Sequence, residues 1–351
     1  MEKSIKLAKD LIDKDMKKAE ELNEKIVLYK SYERIAQWCA KTFIDDILSS
    51  EVITFTAPKI IWVRDNEPEI YEKAYKLFLP KDYVRFRLTG EIATEVSDAA
   101  GTILLDINER NWSKKLLDKL EIDDDLLPPV YESIDVCGEI TQKVADLTGL
   151  KAGTPVAGGG ADNTCSAVGN GIVRAGRVSA SLGTSGVVLA HMDEVKVDQK
   201  LRTHTFCHSV PNKWYVMGVM LSAGGAFRWY RDSLGQTEIE EAKEKGVDPY
   251  EILTDKAKEA PVGSEGLIFL PYLNGERTPW PDPHARGVFF GMTNRHKKAH
   301  FTRAILEGVA FSLKDCLKLI QNAEVPVEQI RVTGGGSKSN LWRQILANVF
   351  G

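Results

Sequence analysis

Three glycine-rich turns and one carboxylate are the groups best suited to chemistry in this sequence. Gly158-Gly159-Gly160-Ala161-Asp162 follows the short β-like run Pro155-Val156-Ala157, and Gly183-Thr184-Ser185-Gly186 lies between two further β-rich runs. The third turn opens at Gly334-Gly335-Gly336 after Ile330-Arg331-Val332 and reaches Ser339. Without a Cβ in the way, backbone N–H groups in such turns approach phosphate oxygens closely. Taken singly, each turn serves tight packing of a helix on a strand equally well. Neither a Walker A pattern nor GxGxxG occurs, which argues against a P-loop nucleotidase and a dinucleotide-binding dehydrogenase. Asp162 has two readings on local sequence: an N-cap that accepts from a backbone N–H two or three residues on, or a general base that takes a proton from an attacking hydroxyl.

The remaining reactive residue types are less informative. His204 and His208 lie in a β-like stretch and share no helix face, and no HExxH or comparable ligand set is present, so no metal site is assigned. The five cysteines have none of the short spacings of a zinc site and read as free thiols of a reducing, cytoplasmic compartment. The seven tryptophans suit core or loop anchoring, with Trp280, set between prolines, the one expected to be exposed. Net charge is −4 with Lys and Arg scattered, leaving no basic face for nucleic acid. No run is apolar enough to span a bilayer and the N-terminus lacks the apolar core of a secretion signal, so no membrane partner is expected.

The elements that must position these groups come from pattern. Residues 1–50 are rich in Lys and Glu, contain no Gly or Pro, and predict one or two helices. Helices are predicted from Ala57 to about Glu67, from Leu79 to a stop at Thr89-Gly90, and for a short stretch from Trp112-Ser113. The stretch 97–102 reads as a polar segment, and 123–129 together with the residues after it as a loop-like connection. From Thr154 the texture turns α/β: a buried strand at 155–157, a hairpin formed by 178–182 and 187–190, and a strand at 214–219 before Ser222-Ala223-Gly224-Gly225 and a helix through Trp229. Another strand at 267–270 leads into the loop 274–283, a long amphipathic helix spans 300–320, and a strand at 330–332 precedes a helix over 341–350.

Together these segments resemble one family. Phe289-Phe290-Gly291-Met292, a spacer, and His300-Phe301-Thr302-Arg303-Ala304-Ile305-Leu306-Glu307 match the second signature of the FGGY carbohydrate kinases, counting from Gly287. The first signature is similar to the run from Phe55 to Asn66, except that Thr54 stands at its leading position, where Gly is expected. Leu79-Pro80-Lys81-Asp82-Tyr83, Val96-Ser97-Asp98-Ala99-Ala100-Gly101-Thr102, residues 158–163, Gly218-Val219-Met220-Leu221-Ser222 and Asn274-Gly275-Glu276-Arg277-Thr278-Pro279 look specifically like the xylulokinases of that family.

The resemblance implies an α/β, actin-like (ribonuclease H-like) ATPase fold of two subdomains around a cleft. By position, Asp162 matches the family's catalytic base and Asn163 its sugar-contacting neighbour. Thr184 matches the second phosphate-binding hairpin, Gly224 and Arg228 a nucleotide contact, and Gly335 and Ser339 the adenosine motif, Ser339 replacing an Asn found in some relatives. The reaction implied is transfer of the γ-phosphoryl group of ATP, with Mg²⁺, to D-xylulose. A homodimer is the one assembly the resemblance leaves open.

Two family elements are missing from this sequence: a DxGT hairpin near the start and a Gly-Gln-Met-His-Gly-like element that holds the sugar. Residues 1–53 are expected to be an unmatched helical segment, 54–170 the remainder of the kinase N-terminal domain, and 171–351 a C-terminal domain truncated at its end. On this reading the first subdomain is incomplete, residues 55–162 pack loosely, and the chain by itself turns over little or no sugar. The alternatives are a kinase for glycerol, ribulose or gluconate, or a catalytically silent nucleotide-binding fragment.

Overall fold

The structure, a computed structural model, describes residues 55–351; the helical reading of residues 1–50 and the whole of the proposed segment 1–53 lie outside the described residues. The chain divides into two compact units, Met1–Thr164 and Cys165–Gly351.

In the first unit, α1 (Thr56–Asn66) buries Ala57, Ile60 and Ile61, a spacing of three and four residues that puts all three on one face. They pack on Leu104, Leu117, Ile122 and Leu127. After α2 (Pro68–Tyr71) comes α3 (Pro80–Thr89), which starts with proline at its first position and ends at Gly90 as its sequence predicted. Strand β1 (Thr94–Glu95) runs directly into α4 (Val96–Ala99) and a 3₁₀ turn, Ala100–Thr102. Sequence reading gave 97–102 as a polar segment and assigned it no helix. It is helical because the Glu95 carboxylate accepts from the N–H groups of Ser97 and Asp98, satisfying the donors that a helix start leaves open.

Trp112 was expected to open a helix. It belongs instead to the hairpin of β2 (Leu105–Asp106) and β3 (Asn111–Trp112), its indole N–H donating to Pro128 O at 2.8 Å, and α5 (Lys114–Leu120) starts after Ser113. The presumed connection after Asp123 contains β4 (Val130–Tyr131), β5 (Val136–Glu139) and α6 (Gln142–Thr148), elements too short to carry a periodic signal. Strand β6 (Pro155–Ala157) forms as predicted but is not buried; among the described residues it pairs with β5, antiparallel, in a two-stranded sheet. It leads to α7 (Asp162–Gly169).

The second unit is built on a five-stranded sheet made of β7 (Gly176–Leu182), β8 (Gly186–Met192), β9 (His204–Cys207), β10 (Trp214–Met220) and β13 (Val327–Thr333), in the order β13-β7-β8-β10-β9. Burial along β7 alternates residue by residue, the period of a strand with one covered face, whereas β8 and β10 are buried almost throughout, as inner strands are. Helices α8 (Gly224–Leu234), α9 (Gln236–Lys245) and α10 (Pro249–Ala257) come next. The hairpin of β11 (Ile268–Leu270) and β12 (Val288–Phe290) precedes α11 (Lys298–Asn322). Ile305, Leu306, Val309, Leu313, Leu317 and Ile320 of α11, all fully buried or nearly so, meet the sheet and the closing helix α12 (Asn340–Phe350) in one core. Trp280 is 63% exposed, as its sequence suggested.

Candidate active site

The site residues predicted from sequence fall in two groups, one in each unit.

In the first unit, α3 brings Lys81, Asp82 and Arg85 to one end. Arg85 is buried and donates to Asp82 Oδ1 at 2.9 Å, to Gly158 O at 2.5 Å, and to Ala93 O. Lys81 Nζ lies 3.1 Å from Glu95 Oε1, 3.2 Å from Asp82 Oδ1 and 3.8 Å from Asp98 Oδ2. Glu95 has no exposed surface and is satisfied on both oxygens: beyond the two helix N–H groups it accepts from Ser97 Oγ at 2.9 Å and Ser133 Oγ at 2.7 Å. Burial pushes the Asp98 carboxyl up to about 6; Lys81 opposes this, while Glu95, Asp82 and Asp162 add to it.

The glycine turn reaches this cluster because a Cβ at Gly158 would come within 2.9 Å of Glu132 O and 3.1 Å of Glu95 Cβ. Asp162 then emerges exposed as the first residue of α7, and its Oδ1 accepts from Asn163 N–H at 2.7 Å. That donor is one residue on, so the carboxylate does not make the N-cap bond of the alternative reading. The Asp162 carboxylate is therefore presented to solvent. Asn163 beside it is half-buried.

In the second unit, register brings the predicted nucleotide residues together. Strand β13 is parallel to β7, with Thr333 opposite Ser181, while β8 is antiparallel to both β7 and β10, with Met220 opposite Gly186. β7, β10 and β13 therefore run the same way, and their carboxyl ends open at one edge of the sheet, the position where α/β sheets bind ligands. The turn 183–186 leaves β7 there, α8 starts after β10, and the turn 334–339 leaves β13.

These pieces touch. Gly183 O accepts from Gly224 N at 2.8 Å, and Thr184 O accepts from Ala223 N and Gly225 N, each at 2.9 Å. A Cβ at Gly224 would stand 2.5 Å from Gly183 O, so glycine there permits the close approach of helix to hairpin. The Gly224 N–H is thus committed to the protein, and any ligand contact at this residue is made by other atoms. One turn further along α8, Arg228 Nη2 donates to Thr184 Oγ1 at 2.9 Å, both side chains exposed. At the third turn, Gly334 has φ +82° and a Cβ would meet Leu182 O at 2.6 Å, whereas a Cβ at Gly335 would meet nothing within 4 Å. Ser339 Oγ accepts from Trp342 N at 3.3 Å and so caps α12.

Sequence reading assigned no role to Lys81, Glu95, Ser97 or Asp98. Lys81, Ser97 and Asp98 stood in stretches singled out only for their resemblance and Glu95 in none of them, and their spacing does not disclose that one ammonium collects three carboxylates. Among the described residues, the one group of three close acidic side chains outside this cluster with metal-ligand spacing is the exposed run Asp123, Asp124 and Asp125.

Comparison with known proteins matches the same chain twice to one family. Residues 29–169 match the N-terminal domain and residues 178–351 the C-terminal domain of the FGGY family of carbohydrate kinases; the first match starts inside the segment that sequence reading left outside the resemblance. The xylulose kinase of Bacillus subtilis is 42% identical over 306 residues, which are 87% of this chain and 59% of that protein. The crystal structure of a xyloylose kinase from Brucella ovis superposes with a TM-score of 0.78 at 36% identity, covering 92% of this chain and 64% of the other. A gluconate kinase from Lactobacillus acidophilus gives a TM-score of 0.80 at 30% identity, covering 91% and 64%. The chain thus spans less than two thirds of the length of each, and its fold is the α/β, actin-like ATPase fold of these kinases.

Proposed function

Since the chain belongs to the FGGY family of carbohydrate kinases, we propose that it supplies the base and nucleotide residues of an enzyme that phosphorylates D-xylulose to D-xylulose 5-phosphate. The observation that carries this reading is the common edge at which β7, β10 and β13 end, where Thr184 and Arg228 meet beside the turn 334–339. Thr184, Gly224, Arg228, Gly335 and Ser339 bind ATP there, with Gly224 acting through its lack of a side chain and Ser339 through the helix it caps. Asp162 takes the proton of the terminal sugar hydroxyl as that oxygen bonds to the γ-phosphorus and the bond to the β,γ-bridging oxygen breaks, with ADP leaving. Asn163 orients the sugar. Mg²⁺ arrives with ATP as part of the substrate and offsets phosphate charge. A cytoplasmic site of action suits five cysteines, an odd number with none of the short spacings of a zinc site, and no described helix is long and apolar enough to cross a membrane.

A second reading, a gluconate kinase, is favoured by the Lactobacillus acidophilus likeness. ADP release by a full-length enzyme that carries this chain, the form in which every variant is assayed, measured with D-xylulose, gluconate, glycerol and L-ribulose in parallel, separates the two. D-xylulose is expected to give the highest kcat/KM; a clear preference for gluconate would replace the assignment, and no turnover with any of them would leave nucleotide binding alone.

A further inference from the structure

The backbone of the residue before Asp162 is gripped on both sides by hydroxyl groups. Ala161 N–H donates to Ser97 Oγ at 3.0 Å, and Ala161 O accepts from Thr164 Oγ1 at 2.9 Å. The two hydroxyl oxygens lie 3.2 Å apart, in contact but with their single protons given to Glu95 and to Ala161 O. Ser97 and Thr164 are buried, Ser97 to 2% exposure. Ser97 in turn is fixed by the fully buried Glu95, which accepts from its Oγ at 2.9 Å and its N–H at 2.8 Å. Lys81 and Ser133 hold Glu95 from the other side.

Burying a carboxylate, even with an ammonium beside it, seldom gains stability over an apolar group of the same volume. A cluster that does so, and that ends on one backbone amide next to the proposed base, serves to fix a position. Asp162 needs that service, because its own carboxylate is exposed and its hydrogen bond to the protein goes to the adjacent amide.

We propose that Ser97, locked by Glu95, is the positioning residue of the site: it sets where the Asp162 carboxylate stands relative to the hydroxyl it deprotonates. The proposal rests on the assignment of Asp162 as the base. Loss of the Ser97 hydroxyl frees the Ala161 amide and lets the start of α7 drift, and a displacement of about 1 Å at a reacting group costs up to ~10²-fold in rate.

A double-mutant cycle on turnover tests this. Ser97→Ala is expected to lower kcat by roughly 10–100-fold with KM for ATP unchanged, and Ser97→Thr, which keeps the hydroxyl, to restore most of it. In an Asp162→Ala background Ser97→Ala should cost nothing further, since no base remains to position. An equal loss in both backgrounds, or a fall in stability with kcat intact, would overturn the positioning role while leaving the base assignment standing. Full turnover in Asp162→Ala alone would remove the base assignment and the positioning role with it. Amide hydrogen exchange at Ala161 gives a readout independent of activity: faster exchange in Ser97→Ala, restored in Ser97→Thr, is expected, and unchanged exchange would overturn the proposal.

Discussion

Asp98 is a carboxyl whose ionisation is resisted by burial first and by neighbouring carboxylates second. About 30% of it is exposed, Lys81 stands 3.8 Å away, and burial with three neighbouring carboxylates still holds its carboxyl up at about 6 against 3.8 for a free one. An acid whose folded-state value is raised binds its proton more tightly in the folded chain. Its stabilising share is therefore whole below pH ~4 and is lost as pH rises through about 6. Asp98→Asn keeps the neutral shape at every pH. It should raise stability at pH 7–8 by roughly 1–2 kcal/mol after screening by solvent, with no gain below pH ~4. Urea midpoints at pH 4 and pH 7.5 check this, and an equal shift at both would show that charge at Asp98 is not the cause. His204 behaves in the opposite sense: burial first, then Arg277, lowers it to about 4, so it stays neutral across the same window.

Among elements, the three glycine turns do different things despite similar sequence. Gly334 is required by geometry, with a left-handed backbone and the Leu182 carbonyl where a Cβ would be. Gly335, the next residue, has open space around it and an ordinary backbone. Gly334→Ala should therefore cost about 1–3 kcal/mol of stability through strain and displacement of β7. Gly335→Ala should leave the unfolding midpoint within about 0.5 kcal/mol yet weaken ATP binding by roughly tenfold, or about 1.4 kcal/mol, because its added methyl would face the ligand. Thermal melts and nucleotide titration of the two variants check both statements. Unchanged ATP affinity in Gly335→Ala would take that residue out of the site.

At the scale of the whole chain, each unit has its own core among the described residues. The larger is in the second unit, where α11 lies against the sheet and α12, and the smaller gathers α1 with Leu104, Leu117, Ile122 and Leu127. Leu313 is fully buried in α11 and sits where a Cβ on Gly186, the first residue of β8, would come within 2.9 Å of its Cδ2. It therefore backs the hairpin that carries Thr184. Leu313→Ala should destabilise the second unit by about 2–5 kcal/mol, read as a lower urea midpoint. An effect below about 1 kcal/mol would mean that α11 closes over the cavity.

Long periodic segments were legible in the sequence. Helix α11, the hairpin of β7 and β8, strands β10 and β13 and helix α12 all stand where pattern put them, because side-chain periodicity reports burial directly when an element is long and one face is covered. The glycine turns and Asp162 were legible as residue types, since few other types tolerate such backbones or supply such a base. Pattern did not disclose anything whose cause lies far along the chain. The helix at Val96 starts where Glu95, held by Lys81 and Ser133, accepts from its first N–H groups, and β6 is exposed where β5 is its partner strand among the described residues. Gly334 and Gly335 differ only because Leu182 stands beside one of them. The sequence by itself determined the longer helices and strands and which residue types stand in the glycine turns and at Asp162. Only the tertiary structure decided which of those residues meet, since strand register and buried charge pairing join positions that no local spacing relates.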